Sequence, residues 1–171
     1  MPKYIAIAAV TIDGKIAKTN QHMSDWTSKE DKDFLHAMLD KCDVVIVGNN
    51  TYKTAIKPLS KRNCIVFSRS ANQRISESAN LLYCNPDKMD LKKIISDRKY
   101  KNIAILGGAQ TYSYCLENNF LDEIYLTVEP IIFGSGINLF SANNSTHDKF
   151  KLKSIKKLNK IGTVLLHYIK A

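Results

Sequence analysis

Three short stretches of this 171-residue chain carry residue types able to do chemistry on a nucleotide. Leu106-Gly107-Gly108-Ala109 joins a buried-strand pattern to a helical one. Two glycines let backbone approach a phosphate closely, and a helix N-terminus favours an anion. The bland alternative is a tight strand–helix turn. The spacing is neither GxGxxG nor GxxxxGK[ST], which argues against a Rossmann dinucleotide site and a P-loop. Val47-Gly48-Asn49-Asn50-Thr51 repeats the logic, with ordinary helix capping as its bland alternative. Two such junctions on one sheet edge could hold the two phosphates of a single dinucleotide. Ser68-Arg69-Ser70 ends a third strand-like run and offers hydroxyls and a guanidinium.

A carboxylate, Asp31, follows the only tryptophan, Trp26, by five residues. If it only caps the helix that begins at Ser28, it is exposed, and the residues by themselves favour that reading. Turned into a cleft among Phe34, Leu35 and a sheet, it would be buried and its pKa raised above roughly 3.9. Such a group binds an amidine-like edge and assists protonation. The histidines, His22, His36, His147 and His167, lack ligand spacing, and no GxSxG elbow accompanies them. The cysteines, Cys42, Cys64, Cys84 and Cys115, are scattered among apolar residues. They read as reduced core thiols, not as a metal site.

The elements that must position these groups alternate. Strand patterns cover Tyr4 to Val10, Val44 to Val47, Asn63 to Phe67, Leu81 to Cys84, Ile103 to Leu106 and Glu123 to Val128. Helical patterns cover Ser28 to Asp40, Asp90 to Arg98 and the stretch from Gly107-Gly108 to Leu116, and a short helix opens at Gly48. Thr11 to Asp25 is irregular. Phe150 to Leu158 and Val164 to Ile169 read as an antiparallel hairpin around Lys160-Ile161-Gly162. This order predicts an α/β fold, a mostly parallel central sheet of about eight strands with helices on both faces, in a single domain over 1–171. Ligands of such sheets bind beyond the carboxyl ends of the strands, where the motifs lie.

The chain carries a net charge of +9, with lysine supplying 21 of its 25 basic residues. These are spread along the sequence without an arginine-rich arm, which argues against nucleic acid. A positive field speeds capture of anionic small molecules. No apolar run reaches the roughly 18 residues of a membrane span. Met1-Pro2-Lys3-Tyr4 leads straight into a strand without signal-peptide zones, so a cytoplasmic monomer or homodimer is expected.

Taken in order, these residues resemble the dihydrofolate reductase superfamily. Ile7-Ala8-Ala9, Trp26 with Asp31, Gly48 with Thr51, Pro58-Leu59-x-x-Arg62, Leu106-Gly107-Gly108 with Tyr112, and Leu126-Thr127 resemble dihydrofolate reductase itself. Thr11-Ile12-Asp13-Gly14-Lys15-Ile16-Ala17 and the stretch from Asp122 to Gly134 are more similar to the riboflavin-pathway reductase domain. The resemblance implies NADPH-dependent reduction of dihydrofolate. The alternatives are reduction of a diaminopyrimidinone ribosyl phosphate, or a non-catalytic nucleotide-binding module. By the resemblance Asp31 would bind the pterin's amino edge, aided by Thr127 and Trp26. Arg62 would pair with the glutamate of folate, and Ala9, Phe34 and Leu35 would wall the pocket. The cofactor would lie along Ile16, Gly48, Asn49 and Thr51, and along Gly107, Gly108, Gln110, Thr111 and Tyr112. The loop from Thr11 to Asp25 would close over it. Three positions depart from the folate branch: Asp25 stands where proline is common, Asn49 where arginine is, and Ala109 where a third glycine is. Arg69, with Ser68 beside it, is the candidate cation for the extra phosphate of NADPH.

Overall fold

The computed structural model describes residues 1–22, 24–71, 75–141 and 148–171; His147 lies outside them. The chain opens with β1 (Lys3–Thr11), β2 (Lys15–Ala17), a 3-10 turn at Ser24–Trp26 and α1 (Lys29–Leu39). Then come β3 (Val44–Gly48), α2 (Asn49–Thr54), α3 (Ile56–Leu59), β4 (Cys64–Phe67), β5 (Ile75–Ser78) and β6 (Leu81–Cys84). The second half holds α4 (Leu91–Asp97), β7 (Asn102–Ile105), α5 (Ala109–Glu117), β8 (Glu123–Glu129), β9 (Ile137–Asn138), β10 (Phe150–Lys157) and β11 (Val164–Lys170).

Nine strands form one sheet in the order β10-β11-β8-β1-β7-β3-β4-β6-β5. The six from β8 to β6 run parallel, while β5, β11 and β10 are antiparallel to their neighbours. The eight strands expected from the sequence are all present. The ninth, β5, extends one edge. A small antiparallel pair, β2 with β9, lies within and opposite the stretch read as irregular.

The parallel strands are apolar on both faces because helices cover both. Tyr4, Ala6, Ala8, Val44 and Ile46 face one cluster with Ile94 and Ile95 of α4 and Tyr112 and Cys115 of α5. Ile5, Ile7, Val45 and Val47 face the other, with Met38 and Leu39 of α1, Tyr52 of α2 and Leu59 of α3. Full burial of each such aliphatic side chain contributes roughly 1.5–3 kcal/mol. All four cysteines are free thiols, and three are buried. Among the described residues no helix is long and apolar enough to cross a membrane.

Candidate active site

The two glycine junctions meet. β3 ends at Gly48, and Gly108 precedes α5 without a side-chain cap. The Gly48 amide donates to the Gly107 carbonyl at 2.6 Å. A Cβ at Gly48 would stand 2.9 Å from Thr111 Oγ1, and one at Gly107, where φ is +86°, would fall on the Tyr112 ring. Tyr112 is held there by its hydroxyl, which donates to the Ile7 carbonyl at 2.7 Å. The glycines thus bring two strand–helix turns into direct contact and leave a backbone cradle whose nearest side chains are Thr51, Thr111 and Tyr112.

Asp31 sits across the same opening. Ser28 caps α1, and its Oγ accepts the Asp31 amide at 3.3 Å. The reciprocal half of a capping box is missing: the Ser28 amide donates to Glu129 Oε1 at 2.7 Å. The Asp31 carboxyl instead hydrogen-bonds to Thr127 of β8 and to Thr27. It is 7% exposed. Burial raises its pKa above the usual carboxylate range, and the nearby Glu129 adds to this; the two threonine bonds and Lys32 pull the other way without cancelling it. Of the two readings open for Asp31, cap or cleft, the geometry is that of the cleft.

The cleft between these groups measures about 880 Å³ and opens at the carboxyl ends of β1, β3, β4 and β7. Of the residues singled out above, Ala9, Ile16, Trp26, Asp31 and Leu35 line it. So do Gly48, Asn49 and Thr51, Ser68 and Arg69, and Gly108, Gln110, Thr111 and Tyr112. Thr127 stands behind Asp31, fully buried beside Ala9 in the β1–β8 register. Gly107 backs the cradle through its carbonyl. Phe34 turns away from the cleft, its ring 5.4 Å from Tyr125.

Arg62 is not brought to the cleft. Its Nη2 lies 2.7 Å from Asp40 Oδ1, in a separate 220 Å³ cavity with Asp43 and Asn63. It precedes β4, at the amino end of that strand, whereas the cleft opens at the carboxyl end, past Phe67. The glutamate-binding role implied by the resemblance therefore has no support in this geometry.

Other groups were given no role from the sequence. Lys32 and His22 line the cleft. Lys32 is half-buried; its amide donates to the Ser28 carbonyl at 3.2 Å, and its ammonium forms no salt bridge among the described residues. His22 accepts the Lys18 amide through Nδ1 and packs on Phe133, as Trp26 does at 5.1 Å. Asp13 accepts the amides of Phe133 and Gly134 and the hydroxyl of Thr11. These bonds dock the segment after β1 onto the stretch before β9. Asp13 had a signal, since it lies within the Thr11–Ala17 motif. Lys32 had none beyond standing next to Asp31.

Comparison with known proteins fits this geometry. The "uncharacterized protein YwjB" of Bacillus subtilis is 30% identical over 99% of this chain and 98% of that protein. The riboflavin biosynthesis protein RibD of Aquifex aeolicus is 23% identical over 95% of this chain and 56% of its own length. A solved Thermotoga maritima protein, described as a diaminohydroxyphosphoribosylaminopyrimidine deaminase/5-amino-6-(5-phosphoribosylamino)uracil reductase, superposes with a TM-score of 0.74 at 18% identity. That match covers 99% of this chain and 57% of the other, so it establishes the fold. Residues 3–162 match the family model of dihydrofolate reductase, so the chain belongs to the dihydrofolate reductase family.

Proposed function

We propose that this chain, as one domain, is an NADPH-dependent reductase of a diaminopyrimidinone ribosyl phosphate. The observation that carries the proposal is Asp31: a buried carboxyl of raised pKa, in one cleft with the backbone cradle of the paired glycine turns. A cofactor dinucleotide suits that cradle, where Gly48, Thr51, Gly108 and Thr111 would hold it and Arg69 would meet its extra phosphate. When bound, it supplies the hydride.

The chain's own part is to hold the ring and favour a proton. A 2-aminopyrimidinone presents an N–H and an amino group side by side, and a carboxylate accepts both. Positive charge on that edge is stabilised by Asp31, which favours protonation of a C=N nitrogen conjugated with the ring. In the opened ribosylamine that bond lies between the ring's amino nitrogen and the first sugar carbon. The carbon takes the hydride and the nitrogen the proton. Lys32, beside Asp31 in the cleft and with its ammonium in no salt bridge among the described residues, is the cation for the substrate's phosphate. The riboflavin-pathway relatives support this branch, and Arg62, occupied by Asp40, no longer argues for folate.

Dihydrofolate is the second reading, favoured by Trp26, Asp31 and Thr127 standing together. It too has a C=N bond one atom from a 2-aminopyrimidinone ring, so the same carboxyl would serve. The deciding experiment follows NADPH oxidation with each substrate in turn. Turnover of the ribosyl phosphate at a kcat/KM well above that of dihydrofolate is expected. The reverse order would give the protein to folate, and no turnover of either would leave a nucleotide-binding module.

A further inference from the structure

Glu129 is a carboxylate that the reaction above does not use. It ends β8, is 3% exposed, and lies opposite Thr11 in the β1–β8 register. One oxygen accepts the Ser28 amide at 2.7 Å, and the other accepts the Thr163 hydroxyl at 2.6 Å. Thr163 is in turn held by Asn159, whose Oδ1 accepts the Thr163 amide and whose Nδ2 donates to the hydroxyl. Burying a charge this deeply is costly unless it is compensated. The compensation is the N-terminus of α1, with a free amide and a favourable dipole.

The bond has a consequence for Asp31. In a capping box the residue three positions after the cap reaches back to the cap's amide. At α1 that residue is Asp31, and that amide is already taken. We propose that Glu129 is the positioning residue of the cleft: by occupying the Ser28 amide it denies Asp31 the capping box and turns its carboxyl onto Thr127 and Thr27. The inference rests on the reading that Asp31 meets the substrate ring. It adds an electrostatic effect, since a second carboxylate close by opposes ionisation of Asp31. Among the described residues the other charged or titratable groups coupled to Asp31 are Lys32 on its own helix and Tyr112 on α5, while β1 lines the cleft with Ile7, Ala8 and Ala9.

Two variants separate position from charge. Glu129→Gln keeps an acceptor for the Ser28 amide and removes the charge; Glu129→Ala removes both. Asp31 is titrated by NMR of its side-chain carboxyl carbon, assigned with Asp31→Asn, and steady-state kinetics are measured in parallel. In Glu129→Gln the Asp31 midpoint should fall while the substrate KM changes little. In Glu129→Ala the substrate KM should rise by roughly tenfold or more with the KM for NADPH nearly constant, and the Asp31 midpoint should drop toward that of an exposed carboxyl. Equal kinetic damage in both variants, or none in Glu129→Ala, overturns the proposal, and an unchanged midpoint in Glu129→Gln overturns its electrostatic part. If the wild-type chain reduces no pyrimidine, the functional reading fails, yet the titration still decides the role of Glu129. Should the alanine variant not fold, Glu129→Asp, which keeps the charge but falls one methylene short of the Ser28 amide, takes its place in the same kinetic comparison.

Discussion

Replacing Asp31 by asparagine should disable the enzyme and stabilise the protein. Asparagine keeps the shape and can still bond to Thr127 and Thr27, but it cannot carry charge. In the folded chain burial holds the Asp31 pKa above its unfolded value of roughly 3.9. Below the unfolded pKa both states are protonated and no penalty exists. As pH rises between the two pKa values, the unfolded chain releases its proton and the folded one retains it, so stability falls. Above the folded pKa the loss is complete and constant. Each tenfold gap between the two ionisation constants costs the native state about 1.4 kcal/mol. In a chain of this size a kcal/mol moves Tm by about 2–4 °C. Asp31→Asn escapes the whole term, so its Tm should exceed that of wild type at neutral pH and approach it near pH 4. Turnover should fall by roughly 10²–10⁴-fold, the usual worth of a proton-managing group. The assay is thermal unfolding of both proteins across pH 3 to 8 (about that range), beside NADPH oxidation. A variant less stable than wild type at neutral pH, or a Tm difference independent of pH, would refute the reasoning. Asp31 would then be a structural carboxylate whose bonds outweigh its burial.

Lys32→Met should raise the KM for the phosphorylated substrate roughly tenfold, as loss of a charge-assisted pair does. The corresponding riboside, which lacks the phosphate, should not sense the change; equal effects on both would remove Lys32 from the phosphate. Arg69→Ala should raise the KM for NADPH and leave that for NADH nearly unchanged, and parallel changes would place the extra phosphate elsewhere. Arg62→Leu should leave every KM intact. Asp40 is 70% exposed, so losing the pair should cost stability by no more than about 1 kcal/mol, checked by denaturant unfolding. A raised KM for dihydrofolate would restore the folate reading.

The sheet was legible because its strands are short Val- and Ile-rich runs, and glycines mark where they give way to helices. β5 was not: Ile75–Ser78 holds one apolar residue in four and no alternation. β2 and β9, three and two residues long, fall below any periodic signal. On α1 the apolar residues were recognised but their division was not. Leu35, four residues after Asp31, shares its face and lines the cleft, whereas Phe34 rolls onto Tyr125. Arg62 failed for another reason. Its order among the motifs matched the folate branch, but order along a chain does not say which residue within reach will claim a side chain, and Asp40 claims this one.

Asp31 shows why a site can be half legible. Ser28 and Asp31 have capping-box spacing, and with nothing else in view that local bond is the sensible expectation. The alternative needs a competitor for a single amide, and the competitor is 101 positions away, at the end of β8. Glu129 reaches it because β8 lies beside β1 and because Thr163, brought alongside by the antiparallel β11, fixes the second oxygen. The local pattern therefore supplies a carboxyl with two possible partners, and the sheet topology selects between them. A capping residue and a buried acid are here the same side chain, separated by one hydrogen bond that only the folded sheet can make.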